Sequence, residues 1–311
     1  MPEGCLRTLY AQYRKNQKEE EWMIGECHAH VIMDGLNYRR AVELHRNGVQ
    51  DAVIHACFRA YAAEGITFVR DGGDALGVSK RAREIAPEYG IDYRTPVFAI
   101  HREGHYGGIV GRGFRNLREF HSLVLEAKKE GADFIKIMTT GILDFQNHGM
   151  VTGEPLCREE VREMVHIAHQ EGMAVMSHTN GAEPVKYALE AGVDSIEHGN
   201  YMDEEAVRML SGTDTVWVPT LVTVRNLLGC GRYEDAVLLP IMESAARNLS
   251  LAGRLEAHVA AGSDAGAYMV PHGRGTKDEY RAFRQILGAS AETDAWLREG
   301  EQRIRERFKK S

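Results

Sequence analysis

The stretch Gly25-Glu26-Cys27-His28-Ala29-His30-Val31 places two histidines two residues apart inside a short apolar run. Side chains in a β-strand alternate between its two faces, so His28 and His30 would point to the same side. Two neighbouring imidazoles on one strand face can chelate a divalent cation. An isolated His-x-His pair is nevertheless more often a pair of ordinary core or surface histidines, because short motifs have a high false-positive rate. The rest of the chain has to decide between these two interpretations.

The composition is that of an ordinary globular protein. The chain has 311 residues, of which 43% are hydrophobic and 27% charged, and its net charge is -7. This charge provides no basic surface for a nucleic acid or an anionic membrane. The five cysteines are scattered without a C-x-x-C pair, which favours a reducing compartment, so we expect a cytoplasmic protein. We see no apolar core of a secretory signal near the start, and no apolar run of about 18 residues that would span a membrane.

Short apolar runs alternate with amphipathic segments along most of the chain. We predict strands over residues 23–30, 66–71, 93–101, 133–138, 174–178, 195–198, 215–219 and 259–264. We predict helices between and after them over residues 51–63, 75–89, 116–131, 158–172, 182–192, 203–210, 235–257 and 277–288. Such an alternation fits a (β/α)₈ TIM barrel, for which about 250 residues is typical. A doubly wound open sheet is the alternative, because alternation alone does not show whether a sheet closes.

Local signals also predict where several helices begin and end. Asn116 is a candidate N-cap with Glu119 three residues later, and Gly131, Gly172 and Gly192 stand where C-terminal glycines are expected. No Pro/Ser-rich linker divides the chain. We therefore predict a single-domain barrel over residues 23–290, with a helical N-terminal extension over 1–22 and a C-terminal helix over 291–311.

Polar residues close or interrupt the predicted strands, and in a barrel the C-terminal strand ends carry the chemistry. These residues are His28 and His30 on the first strand, Lys136 on the fourth, His178 on the fifth, His198 on the sixth and Asp264 on the eighth. Each has an ordinary explanation, such as a structural histidine or an Asx turn at Asp264. Lysine, however, is almost never buried unless it is paired or chemically altered, and Lys136 lies within an apolar run. In a closed barrel all six side chains would converge on one mouth.

With these residues in view, the chain resembles the amidohydrolase superfamily. The segments Phe134-Ile135-Lys136, Ile196-Glu197-His198-Gly199 and Gly262-Ser263-Asp264-Ala265-Gly266 look like the imidazolonepropionase/prolidase-like branch. That branch includes dipeptidases and carboxypeptidases that act on Xaa-Pro, Xaa-Arg or Xaa-Lys substrates. The resemblance covers roughly residues 23–288, and it implies a metal-dependent hydrolase of carbon–nitrogen bonds.

The resemblance also implies a site with two divalent metal ions. Lys136 would be carboxylated by CO₂, and the resulting carbamate would bridge the metals. The ligands of one metal would be His28, His30 and Asp264, and those of the other His178 and His198. Imidazole and carboxylate ligands suit Zn²⁺, with Mn²⁺ or Fe²⁺ open on ligand chemistry. Asp264 would be the catalytic residue, taking a proton from the metal-activated hydroxide nucleophile and passing it to the leaving amine.

The chain departs from the superfamily pattern in two places. Members commonly carry a small β-sandwich, whereas here a short polar segment precedes the first strand and a charged helix follows the last, so we predict little or no β-sandwich. The Thr/Ser-Gly-Gly-His pattern expected after the third strand appears as Arg102-Glu103-Gly104-His105. The resemblance therefore does not assign substrate contacts at that point.

The loops after the strands would select the substrate. Candidate substrate-binding residues are His105, Tyr106, Thr140, Tyr201 and Arg225. The first hypothesis is a small-molecule or dipeptide substrate with a free carboxylate, either an Xaa-Pro-like or carboxypeptidase-type dipeptide or an N-acyl amino acid, and Arg225 is the candidate partner of that carboxylate.

Two alternatives use the same dinuclear site: a lactonase or phosphotriesterase-like esterase, and a cyclic-amide hydrolase. Deamination is disfavoured because Lys136 is present and Gly181 stands where superfamily deaminases place a glutamate. The presence of Asp264 argues against an inactive metal-binding scaffold. The sequence leaves open whether the chain forms a homo-oligomer.

Overall fold

The computed structural model describes residues 25–310 of the chain. This part contains nine strands and eleven α-helices. The strands are β1 Glu26–Ala29, β2 Phe68–Asp71, β3 Asp92–Arg94, β4 Ala99–Arg102, β5 Gly111–Phe114, β6 Ile135–Met138, β7 Val175–Thr179, β8 Ser195–His198 and β9 Val216–Val218. The helices are α1 Tyr38–Leu44, α2 Asp51–Ala63, α3 Val78–Ile85, α4 Leu117–Lys129, α5 Arg158–Gln170, α6 Ala182–Ala191, α7 Glu204–Ser211, α8 Val222–Arg225, α9 Asp235–Arg254, α10 Arg274–Leu287 and α11 Ala291–Arg307. The predicted N-terminal extension over residues 1–22 lies outside the described residues.

Backbone hydrogen bonds join the strands into a closed ring. Strands β1–β2–β3 form one parallel sheet, and β5–β4–β6–β7–β8–β9 form another. The segment 258–265 joins them, because Cys27 donates its N–H to the Ala261 carbonyl (3.1 Å) and Ala260 donates its N–H to the Trp217 carbonyl (3.0 Å). On the opposite side, β3 and β4 belong to one continuous segment that pairs with β2 and with β6. The predicted (β/α)₈ barrel is confirmed, and the open doubly wound alternative is wrong.

Two predicted strands differ in detail. The predicted strand 93–101 is split into β3 and β4, and between them Val97 has a φ of 66°, which breaks the extended backbone. The predicted strand 259–264 is not a regular strand, since it joins its neighbours through isolated bridges at Val259 and Ala265. Strand β5 was not predicted because Gly111 and Gly113 have low strand propensity. It pairs with β4 on the side away from β6. Helices α1 and α8 were not predicted either.

The predicted helix ends agree with the structure. The Asn116 side chain accepts a hydrogen bond from the Glu119 N–H at 3.1 Å and caps the start of α4. Gly131, Gly172 and Gly192 have φ values of 90°, 73° and 80°, in the left-handed region that terminates helices at glycine. Residues within a few positions of each helix end therefore mark these boundaries.

Helix α11 covers the N-terminal end of the barrel. Ile304 and Phe308, near its end, pack against Phe68, Phe134 and other buried residues at the beginnings of the strands. The Gly25 N–H, just before β1, also donates to the Glu301 carboxylate at 2.7 Å. All strands of residues 25–310 belong to the ring or pair with it, so the described chain contains no β-sandwich. No helix within that range is both long and apolar enough to cross a membrane.

Candidate active site

The C-terminal ends of the strands bring the predicted site residues together. Met138, at the end of β6, is level with His178 on β7, and Thr179 of β7 is level with His198 of β8. The Asp264 N–H donates to the His28 carbonyl at 2.7 Å, which joins the segment 258–265 to β1. Parallel strands in register thus place these side chains at one end of the barrel.

The side chains converge closely. Asp264 Oδ1 lies 3.6 Å from His28 Nε2 and 3.5 Å from His30 Nε2. The His28 and His198 rings have centroids 5.0 Å apart, and the His198 and His178 centroids are 4.6 Å apart. Among the described residues, potential ligand atoms of His28, His198 and Asp264 all lie within 4.8 Å of one another. This spacing is small enough for one cation to contact several of these side chains.

Lys136 is buried among these groups. The residue is 1% exposed, and its Nζ has no hydrogen-bond partner within residues 25–310. Burial lowers the pKa of Lys136 to about 8, against the opposing effect of the nearby Glu197 carboxylate. The lysine charge in turn contributes to the low pKa values of His30 and His178, after the larger effect of burial. A buried ammonium without a partner is costly, which indicates that a further group belongs at this site.

Two of the histidines have defined hydrogen-bonding roles. His28 Nδ1 lies 2.6 Å from the Glu197 carboxylate, and His178 Nε2 lies 3.1 Å from the Gly141 carbonyl. Carboxylates and carbonyls only accept hydrogen bonds, so each imidazole donates there and keeps a lone pair on its other nitrogen. The free nitrogen of His28, Nε2, is buried without a hydrogen-bond partner in the described chain. These are the states in which imidazole binds a metal.

All four histidines are neutral at pH 7. Burial lowers the pKa of His30 and of His178 to about 3, and it lowers the pKa values of His28 and His198 well below the usual range. His198 Nδ1 also lies 2.7 Å from Thr220 Oγ1, which orients its ring. The site therefore presents imidazole nitrogens rather than imidazolium cations.

Asp264 differs from an ordinary aspartate in both protonation and backbone. Burial raises the pKa of Asp264 to about 8, although the Lys136 charge lowers it. Its φ of 58° lies in the left-handed region, which is strained for a residue other than glycine and is often found at functional sites. The side chain is still 17% exposed, so solvent reaches it. The neutral imidazoles and the oxygens of Asp264 form a donor set that fits a divalent cation, whose charge would favour the ionised carboxylate.

The predicted substrate residues occupy different surroundings. The Tyr106 ring lies 5.1 Å from the His178 ring, so it borders the cluster directly. Thr140 is buried, and its hydroxyl oxygen accepts from the Asn180 N–H at 3.0 Å. Thr140 therefore holds the loop after β6 against the loop after β7.

The three other candidates contact groups outside the cluster. His105 Nδ1 lies 3.1 Å from the Glu154 carbonyl, and the Tyr201 ring is 5.2 Å from that of His148. Arg225 donates from Nη2 to Gln285 of α10 at 3.1 Å. Its role as a partner for a substrate carboxylate stays a prediction.

Sequence reasoning did not assign roles to Arg70 and Glu197. Both are fully buried, and Arg70 Nη2 donates to Glu197 Oε1 at 2.8 Å. Arg70 lies between Val69 and Asp71 in β2, and Glu197 lies between Ile196 and His198 in β8, so neither residue interrupts an apolar run as Lys136 does. The burial of both residues is set by the barrel, and the local sequence pattern does not indicate it.

A closed (β/α)₈ barrel with neutral histidines, an aspartate and a buried lysine at its C-terminal end has the architecture of a barrel metallohydrolase. Residues 26–268 match the family model described as the amidohydrolase family. The chain therefore belongs to the amidohydrolase family, and the predicted superfamily is confirmed.

Curated mycobacterial proteins match about half of this chain. Uncharacterised proteins of Mycobacterium tuberculosis and Mycobacterium bovis are 26% identical over 170 residues, which are 52% of this chain. The match spans only 44% of the length of those curated relatives.

Solved structures share the fold. A Xaa-Pro dipeptidase with bound methionine matches with a TM-score of 0.66 and 23% identity, covering 90% of this chain and 76% of that one. The ochratoxinase of A. niger matches with a TM-score of 0.71 and 18% identity, covering 88% of this chain and 69% of that one. At these identities the likeness establishes the barrel fold and does not identify the substrate.

Proposed function

We propose that this protein is a metal-dependent hydrolase that cleaves the amide bond of a dipeptide or an N-acyl amino acid. The observation that carries the proposal is Lys136, a buried amine without a hydrogen-bond partner in the described chain, placed among four neutral histidines and Asp264. Membership of the amidohydrolase family supports the class of reaction. The Xaa-Pro dipeptidase and the ochratoxinase share the fold and make small amide substrates a reasonable first choice.

The donor set would hold two divalent cations. His28, His30 and Asp264 would hold one, and His178 and His198 the other. Zn²⁺ suits these ligands, and Mn²⁺ and Fe²⁺ are compatible with them. When bound, the cations supply Lewis acidity toward the scissile carbonyl and lower the pKa of water.

Lys136, as a carbamate, would supply an anionic oxygen ligand to the cations. Its neutral Nζ would attack the carbon of CO₂ and release one proton, which leaves an anionic carbamate. The lowered pKa of Lys136, about 8, makes the neutral amine accessible near neutral pH. The reaction would replace an unpartnered buried cation by an anionic ligand, which removes the electrostatic cost of burying the lysine.

Asp264 would move the proton during hydrolysis. Its carboxylate would accept a proton from the attacking water as the new C–O bond forms. It would then give that proton to the amide nitrogen as the C–N bond breaks, so that acid and amine products leave. The Asp264 side chain is partly exposed, as a group that exchanges protons with water must be.

Apolar side chains on the loops support a substrate with an apolar acyl group or side chain. Tyr106 follows β4, whereas Ile142 and Met150 follow β6, and their exposed fractions are 43%, 42% and 59%. Large apolar residues with this exposure on the loops at the catalytic end of a barrel are typical of a binding surface.

Metal analysis combined with a substrate panel tests the proposal. Elemental analysis should find about two metal ions per chain. The loaded protein should hydrolyse Xaa-Pro dipeptides or N-acyl amino acids faster than lactones and phosphotriesters, and chelation followed by Zn²⁺ should abolish and restore turnover. Failure of the metal-loaded protein to hydrolyse any amide, or ester turnover well above amide turnover, would overturn the proposal.

A further inference from the structure

We infer that Glu197, held in place by Arg70, fixes the tautomer of His28 and so keeps its Nε2 atom available as a ligand. Both residues act through His28 and are positioning residues. The inference rests on the proposed metal site, and its central measurement is made on metal-free protein.

Glu197 has a different partner on each carboxylate oxygen. Oε2 lies 2.6 Å from His28 Nδ1. Oε1 accepts from Arg70 Nη2 at 2.8 Å and from Ser195 Oγ at 2.5 Å. Glu197, Ser195, Arg70 and His28 are all fully buried, so water does not compete for these contacts. The carboxylate is therefore an acceptor toward His28, and the imidazole proton must be on Nδ1.

Arg70 prevents the carboxylate from turning. Its Nε donates to the Cys27 carbonyl at 2.7 Å and its Nη1 donates to Ser195 Oγ at 2.9 Å. The guanidinium carbon also lies 4.4 Å from the centroid of the Phe308 ring, just beyond α11. The Oε1 side of Glu197 thus faces only donors, and its orientation is determined by groups outside the candidate metal site.

This arrangement predicts opposite tautomers of His28 when Glu197 is replaced by glutamine and when it is replaced by aspartate. In Glu197→Gln the Arg70 and Ser195 donors select the amide oxygen, so the amide NH₂ faces His28 Nδ1. Because that NH₂ can only donate, the His28 proton moves to Nε2, the atom that would bind the metal. Glu197→Asp is shorter but still only accepts, so the Nδ1–H tautomer persists. A role in packing alone predicts that the isosteric glutamine is the milder change.

The tautomer can be read directly by NMR of metal-free protein containing ¹⁵N-labelled histidine, with His28 assigned through a His28→Gln variant. Wild type and Glu197→Asp should show His28 protonated on Nδ1, and Glu197→Gln should show it protonated on Nε2. Chelator competition with Zn²⁺ should then give a loss of affinity of about 10- to 100-fold for Glu197→Gln and a smaller loss for Glu197→Asp.

Glu279→Gln is a matched control, because Glu279 is also fully buried but accepts from the Leu221 and Val222 N–H groups. It should change the Zn²⁺ affinity by less than about 3-fold, below the range expected when the hydrogen-bond partner of a metal-binding histidine is altered. An unchanged His28 tautomer in Glu197→Gln, or a greater loss of affinity in Glu197→Asp, would overturn the inference. If Glu197→Gln does not fold, the inference can still be overturned by finding His28 protonated on Nε2 in wild type or in Glu197→Asp. Absence of Zn²⁺ binding by wild type would instead refute the proposed function and leave the tautomer result standing.

Discussion

Replacing Lys136 by methionine measures how much the buried amine lowers the free energy of unfolding. Methionine is unbranched and close to lysine in size, so the variant fills the same space without a charge. In wild type, Nζ is buried without a hydrogen-bond partner within residues 25–310, and burial lowers the pKa from its ordinary value of 10.5 to about 8. The charged form is therefore disfavoured in the folded state.

The lowered pKa sets both the size and the sign of the effect. The difference between the pKa of Lys136 in the unfolded and in the folded state corresponds to roughly 3 kcal/mol of destabilisation at about pH 7. At that pH the lysine is charged in both states. Between pH 8 and 10.5 the unfolded chain binds more protons than the folded one, so the stability of wild type rises across this window. Lys136→Met should thus be more stable than wild type by about 3 kcal/mol near pH 7, and the difference should largely disappear by about pH 10.5.

The assay is urea unfolding of metal-free protein in CO₂-free buffer near pH 7 and near pH 10, with metal content measured in parallel on loaded samples. The variant should gain stability and lose most of its metal and turnover, because a ligand has been replaced by a thioether. Lys80→Met is the control, since Lys80 is half-exposed, and this substitution should bring no comparable gain in stability near pH 7. The reasoning would be refuted if metal-free Lys136→Met were less stable than wild type near pH 7. It would also be refuted if the variant, after metal loading, retained full metal content.

Three further substitutions test other parts of the structure. Asp264→Asn should reduce turnover by about 10²- to 10⁴-fold with near-normal metal content by elemental analysis, and persistent activity would exclude Asp264 as the proton carrier. Phe308→Ala should lower the free energy of unfolding in urea by about 3–5 kcal/mol, because the ring packs against Phe134 and the Arg70 guanidinium; a loss below about 1 kcal/mol would contradict this packing role. Burial raises the pKa of Glu279 from 4.5 to about 8, so its stabilising contribution is present below pH 4.5 and is lost as the pH rises through 8. Urea unfolding at about pH 5 and pH 8 should show a smaller loss for Glu279→Gln than for wild type, and equal losses would rule this out.

The positions of the candidate ligands were predictable because each signal is local. Polar residues that close short apolar runs are visible in the sequence, and a barrel brings all strand ends to one face. Helix ends such as Asn116 and Gly192 were predictable for the same reason, since capping depends on residues within a few positions. Strand β5 was not predictable from the sequence, because Gly111 and Gly113 carry no strand signal. These residues form a strand only because β4 provides an edge with which they pair.

The sequence by itself therefore determined the alternation of strands and helices, the family and the residues that converge at the strand ends. The tertiary structure decided that the ring closes through the segment 258–265, and which nitrogen of His28 and of His178 stays free. His28 and Glu197 are 169 residues apart, and His178 and Gly141 are 37 apart. Such contacts depend on strand register and on the packing of distant segments, which no local pattern contains. The same reason places Arg225 against α10, a position that its sequence neighbourhood does not indicate.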